Sequence, residues 1–468
     1  MHGNPLAPLR PAPLIALYAL ILHWTYQHKI APIFGYLGSR YREPDTASYA
    51  LAGLMVLLLS FALPRHMRRP SDFVLWMLYV MVAIPAILVP QYADIISKDR
   101  SLALAAVVTA DFLLIAVLTR ISPKVFRFRL LMRPSLLWAI TVVISIGFYS
   151  YLSLTQGLHF SFAQDLSSVR DTRLDYRQQV AEQGALLGYL VRIQANAINP
   201  LFIIKGMYNR RWSLMAAGTV GQVLIYGLTG YKLTLLSVPA LFAVAAMFRY
   251  SRQLSGSLVL WGVTASSILA LAIDNVRGGA ILFTELFIDR LLLVPGTLTA
   301  AHVLVFDGAP KMQWSYSFMS PFLSNPYGTT PAFLVGAQFS GDAQVTANAN
   351  FFADGFANLG WSGMTIESLV LVLLLWIADG ASRHLPLKVT APLLLVPTIA
   401  LVNGSVFTSI LTGGLGLVIA LCAALSGDGW ERETRRSRRV GGPQELESEP
   451  VAVGATRAEP GAELSPRP

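Results

Sequence analysis

Apolar runs of about 20 residues, the length a helix needs to cross a bilayer, recur along the chain. They lie near 12–27, 46–64, 73–91, 101–119, 135–154, 186–206, 212–229, 232–248, 256–273, 361–379, 389–407 and 408–426, and they predict twelve membrane-spanning helices. The charge between the runs supports the count. RHMRR (65–69), RISPKVFRFRLLMR (120–133), KGMYNRR (205–211), FRYSR (248–252), SRHLPLK (382–388) and RETRRSRR (432–439) follow the even-numbered runs. Every even-numbered exit is therefore basic, which predicts that both termini are cytoplasmic.

Two breaks on the opposite side are long. One covers about 155–185 and contains SSVRDTRLDYRQQVAEQG; the other, 274–360, separates runs nine and ten. A third is short, LTGYKLTLL at 228–236. Connections are usually only a few residues long, so 274–360 is expected to be the working face of the molecule.

Composition fits this reading. The 468 residues are 54% hydrophobic and 13% charged, against about 25% charged in ordinary soluble domains. The expected fold class is an all-α polytopic integral membrane protein, residues 1–426, with a disordered cytoplasmic tail over 427–468 that has too few apolar residues to form a core. The net charge of +10 would suggest nucleic acid as a partner of a soluble protein. Here the cations sit in loops and set topology, so no nucleic acid is expected. The lone Cys422 allows neither an intramolecular disulfide nor a cysteine-based metal site. The apolar stretch after Arg10 lacks a small-x-small cleavage site and reads as an uncleaved first span.

Some outward cations have no topological reason to be there: Arg173, Arg177, Lys232, Arg277 and Arg290. Arg290 lies in ELFIDRLLLVPG, an apolar stretch read as helix. A cation at bilayer depth costs a few kcal/mol and faces a protein interior or a water-filled cavity. Two readings stay open for it. One is a structural pair with Asp289, Asp274 or Glu285; the other is a clamp on a diphosphate, which suits the planar guanidinium fork. Lys232 sits at a helix start, where a cation is disfavoured, and is expected to have an anionic partner.

NANFFADGFANLGWSG (348–363) is the second candidate. As a helix it places Asn350 and Asp354 on one face with Asn358 a turn further on, and Asn348 is a candidate cap. Amides, a carboxylate and interleaved aromatics resemble a sugar-binding surface. The competing reading is a capped amphipathic entry into the tenth span, with Gly355, Gly360 and Gly363 allowing close packing. NPYG (325–328) reads as a turn. There is no Walker-type glycine loop, no His-Glu-x-x-His and no Asp-x-Asp, so neither metal nor cofactor is expected.

Three of these stretches together resemble the Wzy-type oligosaccharide repeat-unit polymerases, which include the O-antigen polymerases. They are TGYKLTLLSVPALF (229–242), ELFIDRLLLVPGTLTAAHVLVFDG (285–308) and NANFFADGFANLGWSG. The resemblance, with its twelve-span plan, covers most of residues 10–426. It implies an enzyme of the bacterial inner membrane that joins undecaprenyl-diphosphate-linked oligosaccharide repeats at the periplasmic face. It also implies Arg290 and Lys232 as diphosphate ligands and a chain-length regulator protein as a partner. Members of the family often have Arg where this chain has Lys232. The family's Arg-x10-Gly spacing is met by Arg173–Gly184 and Arg177–Gly188. Such a transfer needs a base for the acceptor hydroxyl. Asp354 is the first candidate. His302 is the second, since the related O-antigen ligases use a loop histidine; its competing reading is a packed core residue. An O-antigen ligase, and a flippase or transporter of lipid-linked sugar, are the alternatives.

Overall fold

The computed structural model describes residues 11–35, 38–121, 123–156, 166–251, 254–278, 281–348, 350–427 and 430. The chain divides into Met1–Gly427 and Asp428–Pro468, and the expected disordered tail lies almost wholly outside the described residues. The main helices are α1 (Pro11–Thr25), α2 (Thr46–Ala62), α3 (Pro70–Tyr92), α4 (Lys98–Leu118), α5 (Pro134–Gln156), α6 (Leu166–Gln183), α7 (Leu186–Asn209), α8 (Trp212–Thr229) and α9 (Lys232–Tyr250). They continue with α10 (Gly256–Arg277), α11 (Thr284–Phe306), α12 (Pro331–Ser340), α13 (Phe351–Leu359), α14 (Trp361–Ser382), α15 (Leu387–Val402), α16 (Val406–Leu411) and α17 (Leu415–Ala424). No strand occurs among the described residues beyond isolated bridges. The chain is an all-α polytopic membrane protein.

Eight described helices are long and apolar enough to cross a bilayer: α3, α4, α5, α7, α9, α10, α11 and α14. Helices α2, α15 and α17 are shorter, at 17, 16 and 10 residues. The apolar run at 408–426, read as one span, is broken into α16 and α17. Gly414 takes a left-handed φ of 85°, and Gly413 packs so tightly on the backbone of Ser409 that a Cβ there would lie 2.6 Å from its Cα.

Helix α3 is the axis of the bundle and is buried along its length. Its start is fastened to α14: Asp379 accepts from the Ser71 N–H at 2.9 Å and the Ser71 hydroxyl at 2.7 Å. Arg69 lies 3.6 Å from the same carboxylate. Buried acids inside apolar helices need such partners. Asp111 of α4 likewise accepts from Thr365 at 2.8 Å.

The segment read as one long outward loop contains a membrane-length helix, α11. Its two ends, however, lie on the same side of the bundle. The start of α10 and the end of α4 both meet the 62–69 turn. Met67 N–H donates to the Leu254 carbonyl at 2.8 Å, Arg69 to the Thr119 carbonyl at 3.0 Å, and Arg120 to the Ala62 carbonyl at 2.7 Å. The opposite ends of those helices, Arg277 and Lys98, therefore share the other side. Helix α11 starts beside the first: Asp274 accepts the N–H groups of Phe283 and Thr284 at 3.1 and 2.7 Å. It ends beside the second, where Asp307 pairs with Arg100 at 2.8 Å. Between these anchors it presses on α3, and a Cβ on Gly296 would lie 2.3 Å from the Pro85 carbonyl oxygen. Length and hydropathy count α11 as a candidate span, and its anchors set its start beside the end of α10 and its end beside the start of α4.

Candidate functional site

A cavity of about 1090 Å³ opens between α6, α7, α9, α11, α12 and the α15–α16 break. Arg173, Arg192, Lys232 and Arg290 all line it, from four different helices, together with Asp289, His302, Tyr316, Asn348, Asp354 and Asn403. Two of the contributing segments, Gln194–Ile198 of α7 and Thr284–Leu293 of α11, are wound as wide π turns. Such turns displace side chains from their α-helical register and recur at functional sites.

The four cations differ in how they are partnered. Arg290 lies 3.8 Å from Glu285, yet its side chain keeps 62% exposure while that of Glu285 keeps 8%. Of the three acids considered as partners, Glu285 makes the pair, and Asp274 is spent on the start of α11. Arg173 donates from Nε to the Gly230 carbonyl at 3.1 Å, and its guanidinium lies 6.0 Å from the Tyr231 ring. This sets it beside Lys232, the first residue of α9. Lys232 does not have the close carboxylate expected of it: among the described residues no acid reaches ion-pair distance. Glu285, Arg290 and Arg173 are the charged groups that act on it. Arg192 has no ion pair among the described residues either. Arg173, Lys232 and Arg290 thus act on one another in the cavity, and Arg192 adds a fourth cation to its lining.

Two expected site residues, Arg277 and Asn350, lie elsewhere, and a third is not described. Arg277 is not part of the cavity lining and stacks its guanidinium 5.9 Å from Phe283. The side chain of Arg177 is outside the described residues. Asn350 is fully buried and serves the fold: its Oδ1 accepts from the N–H groups of Phe352 and Ala353 at 3.0 and 3.3 Å. Its Nδ2 donates to the Pro295 carbonyl and the Thr299 hydroxyl at 3.0 and 2.9 Å. Asn350, not Asn348, therefore caps α13, and it clamps α13 to α11. The proposed sugar-binding stripe is corrected in the same way. Phe351, Phe352, Phe356 and Asn358 are buried and packed; of the stripe only Asp354 reaches the cavity, with Asn348 exposed just before it.

Asp354 is held on both oxygens. The Tyr316 hydroxyl donates to Oδ1 at 2.7 Å and Asn358 Nδ2 to Oδ2 at 3.0 Å. Asn358 also accepts the Trp314 N–H at 2.6 Å. Trp314 Nε1 donates to Glu367 at 3.4 Å, and Glu367 in turn accepts the Val406 N–H at 2.9 Å. His302 is packed, as the core reading expects, with 2% exposure, yet it borders the cavity. Nδ1 lies 2.8 Å from the Leu298 carbonyl, which can only accept. The proton is therefore on Nδ1, and Nε2 carries the lone pair of the neutral ring.

Sequence reasoning missed Arg192, Tyr316, Asn403 and Glu367. Arg192 and Glu367 each interrupt an apolar run, the signal that singled out Arg290. Asn403-Gly-Ser is a turn signal inside the apolar region. Tyr316 has no sequence signal. Among the described residues no cluster of three or more His, Cys, Asp or Glu could hold a metal ion. Comparison with family models, with curated proteins and with solved structures finds no match for this chain.

Proposed function

We propose that the chain polymerises undecaprenyl-diphosphate-linked oligosaccharide repeats by glycosyl transfer at the periplasmic face of a bacterial inner membrane. In this reading twelve spans cross the bilayer, both termini are cytoplasmic, and 274–360 is the outward segment that α11 dips from. The observation that supports it most is the meeting of Arg173, Arg192, Lys232 and Arg290 in one cavity with Asp354 and His302.

The cationic end holds the donor's diphosphate. The bond between the sugar C1 and the phosphate oxygen breaks, and its electron pair leaves on the lipid diphosphate. Preplaced cations lower that barrier because the charge grows during the step. The acceptor hydroxyl oxygen bonds C1, and its proton passes to a base. The free Nε2 makes His302 the first candidate base, and Asp354, which holds the Tyr316 hydroxyl, is the second. A chain-length regulator is the protein partner in this reading.

Arg290→Ala at normal expression tests it. Cells carrying this variant should make single-repeat glycans in place of long ladders; an unchanged ladder removes Arg290 from the mechanism. His302 at the cavity also favours the ligase alternative. Deleting the gene separates the two, since loss of a polymerase leaves one repeat attached and loss of a ligase leaves none.

A further inference from the structure

The break between α15 and α16 lines the cavity with uncharged polar groups: Asn403, Gly404, Ser405 and Thr408. Its own backbone is already provided for. Glu367 takes the Val406 N–H at 2.9 Å. Ser405 Oγ takes the Thr408 N–H at 3.1 Å and donates to the Thr408 hydroxyl oxygen at 3.1 Å. Asn196 Nδ2 holds the far end through the Thr412 carbonyl at 3.0 Å. The half-buried Asn403 amide has no hydrogen-bond partner among the described residues, and the Thr408 hydroxyl keeps its proton to donate. The exposed amide of Asn348, which lines the same cavity, is also unpartnered among them.

The position of this break matters as much as its chemistry. Asn196 is on α7, four residues after Arg192, so one end of the break is tied to the helix that carries Arg192. Glu367 joins its other end to the Trp314–Asn358–Asp354 network. The break therefore lies between the groups suited to a diphosphate and the groups suited to proton transfer.

We infer that Asn403 and Thr408 form a glycan subsite that binds the hydroxyls of an uncharged sugar of the lipid-linked substrate. An amide offers a donor and an acceptor together, which matches a hydroxyl that both gives and takes a hydrogen bond. A charged sugar would find no counter-ion on this wall. The inference rests on the polymerase reading and adds which wall takes the sugar.

The test compares two ligands on the purified full-length protein in nanodiscs: undecaprenyl diphosphate, and the same lipid carrying one uncharged oligosaccharide repeat. Wild type should bind the sugar-bearing lipid more tightly. Asn403→Ala and Thr408→Val should each weaken the sugar-bearing lipid about three- to tenfold and leave undecaprenyl diphosphate unchanged. Thr408→Val keeps side-chain shape, so it guards against a folding defect in the first variant. Unchanged binding of the sugar-bearing lipid in both variants overturns the subsite while the polymerase reading stands. Loss of both ligands alike in Thr408→Val also overturns it, because the wall would then be structural. If wild type binds neither lipid, the polymerase reading itself fails and the subsite falls with it.

Discussion

Gly355 of α13 and Gly363 of α14 meet backbone to backbone: a Cβ on Gly363 would lie 1.9 Å from the Gly355 carbonyl oxygen. That contact folds α13 back against α14 and sets Asp354 toward the cavity. No flexible side chain is in the way to yield, so Gly363→Ala forces the helices apart. The expected cost is about 1–3 kcal/mol, seen as a lowered midpoint in thermal unfolding of the detergent-solubilised protein. Gly262, where the nearest atom to a built Cβ is 3.8 Å away, should accept Ala without such a shift.

Asn350→Ala separates a structural role from substrate contact. The variant leaves the α13 N-terminus uncapped, takes the donor from the buried Thr299 hydroxyl and removes the Asn350 bond to the Pro295 carbonyl, which keeps the Thr299 hydroxyl as a donor. A loss of about 1–3 kcal/mol of stability is expected, with lipid-diphosphate affinity unchanged in the fraction that folds. Lost affinity at full stability would return Asn350 to the binding site.

His302→Gln tests the base. Glutamine can still bond the Leu298 carbonyl but offers no imidazole lone pair. Single-turnover transfer should slow about 10²–10⁴-fold while binding of the lipid-linked repeat holds. A rate near wild type would pass the role to Asp354.

Tyr316→Phe removes one of the two donors on Asp354. Burial first, and then the Asp354 charge, push the Tyr316 phenol above its ordinary value of 10.0. The hydroxyl therefore stays protonated in the folded protein at pH values where a free tyrosine has begun to ionise. A folded-state value raised in this way contributes stability below pH about 10 that is lost as pH rises beyond it. Wild type should show no alkaline limb in activity from this group up to about pH 10. The variant should lose less stability than wild type above that pH, measured by thermal unfolding across an alkaline series.

Arg192→Ala addresses a residue that the cavity lining adds to the expected cations. One charge-assisted contact to a diphosphate is worth about 1.5–3 kcal/mol. The variant should bind undecaprenyl diphosphate at least about tenfold more weakly, with a shallower salt dependence. Lys205→Ala, outside the cavity lining, is the control and should bind as wild type does.

What the sequence determines here is what local physics dictates. Apolar runs of bilayer length and basic exits between them require a helical membrane protein whatever the packing. An arginine in ELFIDRLLLVPG requires a polar place to point, and Arg290 has one. Gly355, Gly360 and Gly363 read as allowing close packing, and Gly355 and Gly363 do pack closely; NPYG read as a turn, and the Asn325 side chain accepts the Tyr327 N–H at 2.9 Å.

What only the tertiary structure decides is which groups share a space. Asn350 and Asp354 look alike on a helix wheel, but packing against α11 buries one and opens the other to the cavity. Helix α11 has the length of a span, but its anchors, Asp274 at its start and Arg100, some two hundred residues away in sequence, at its end, set where its two ends lie. Arg173, Arg192, Lys232 and Arg290 converge across more than a hundred residues of chain. Periodicity along one helix carries no information about that convergence, because it arises from how helices pack on one another and not from the order of side chains within any of them.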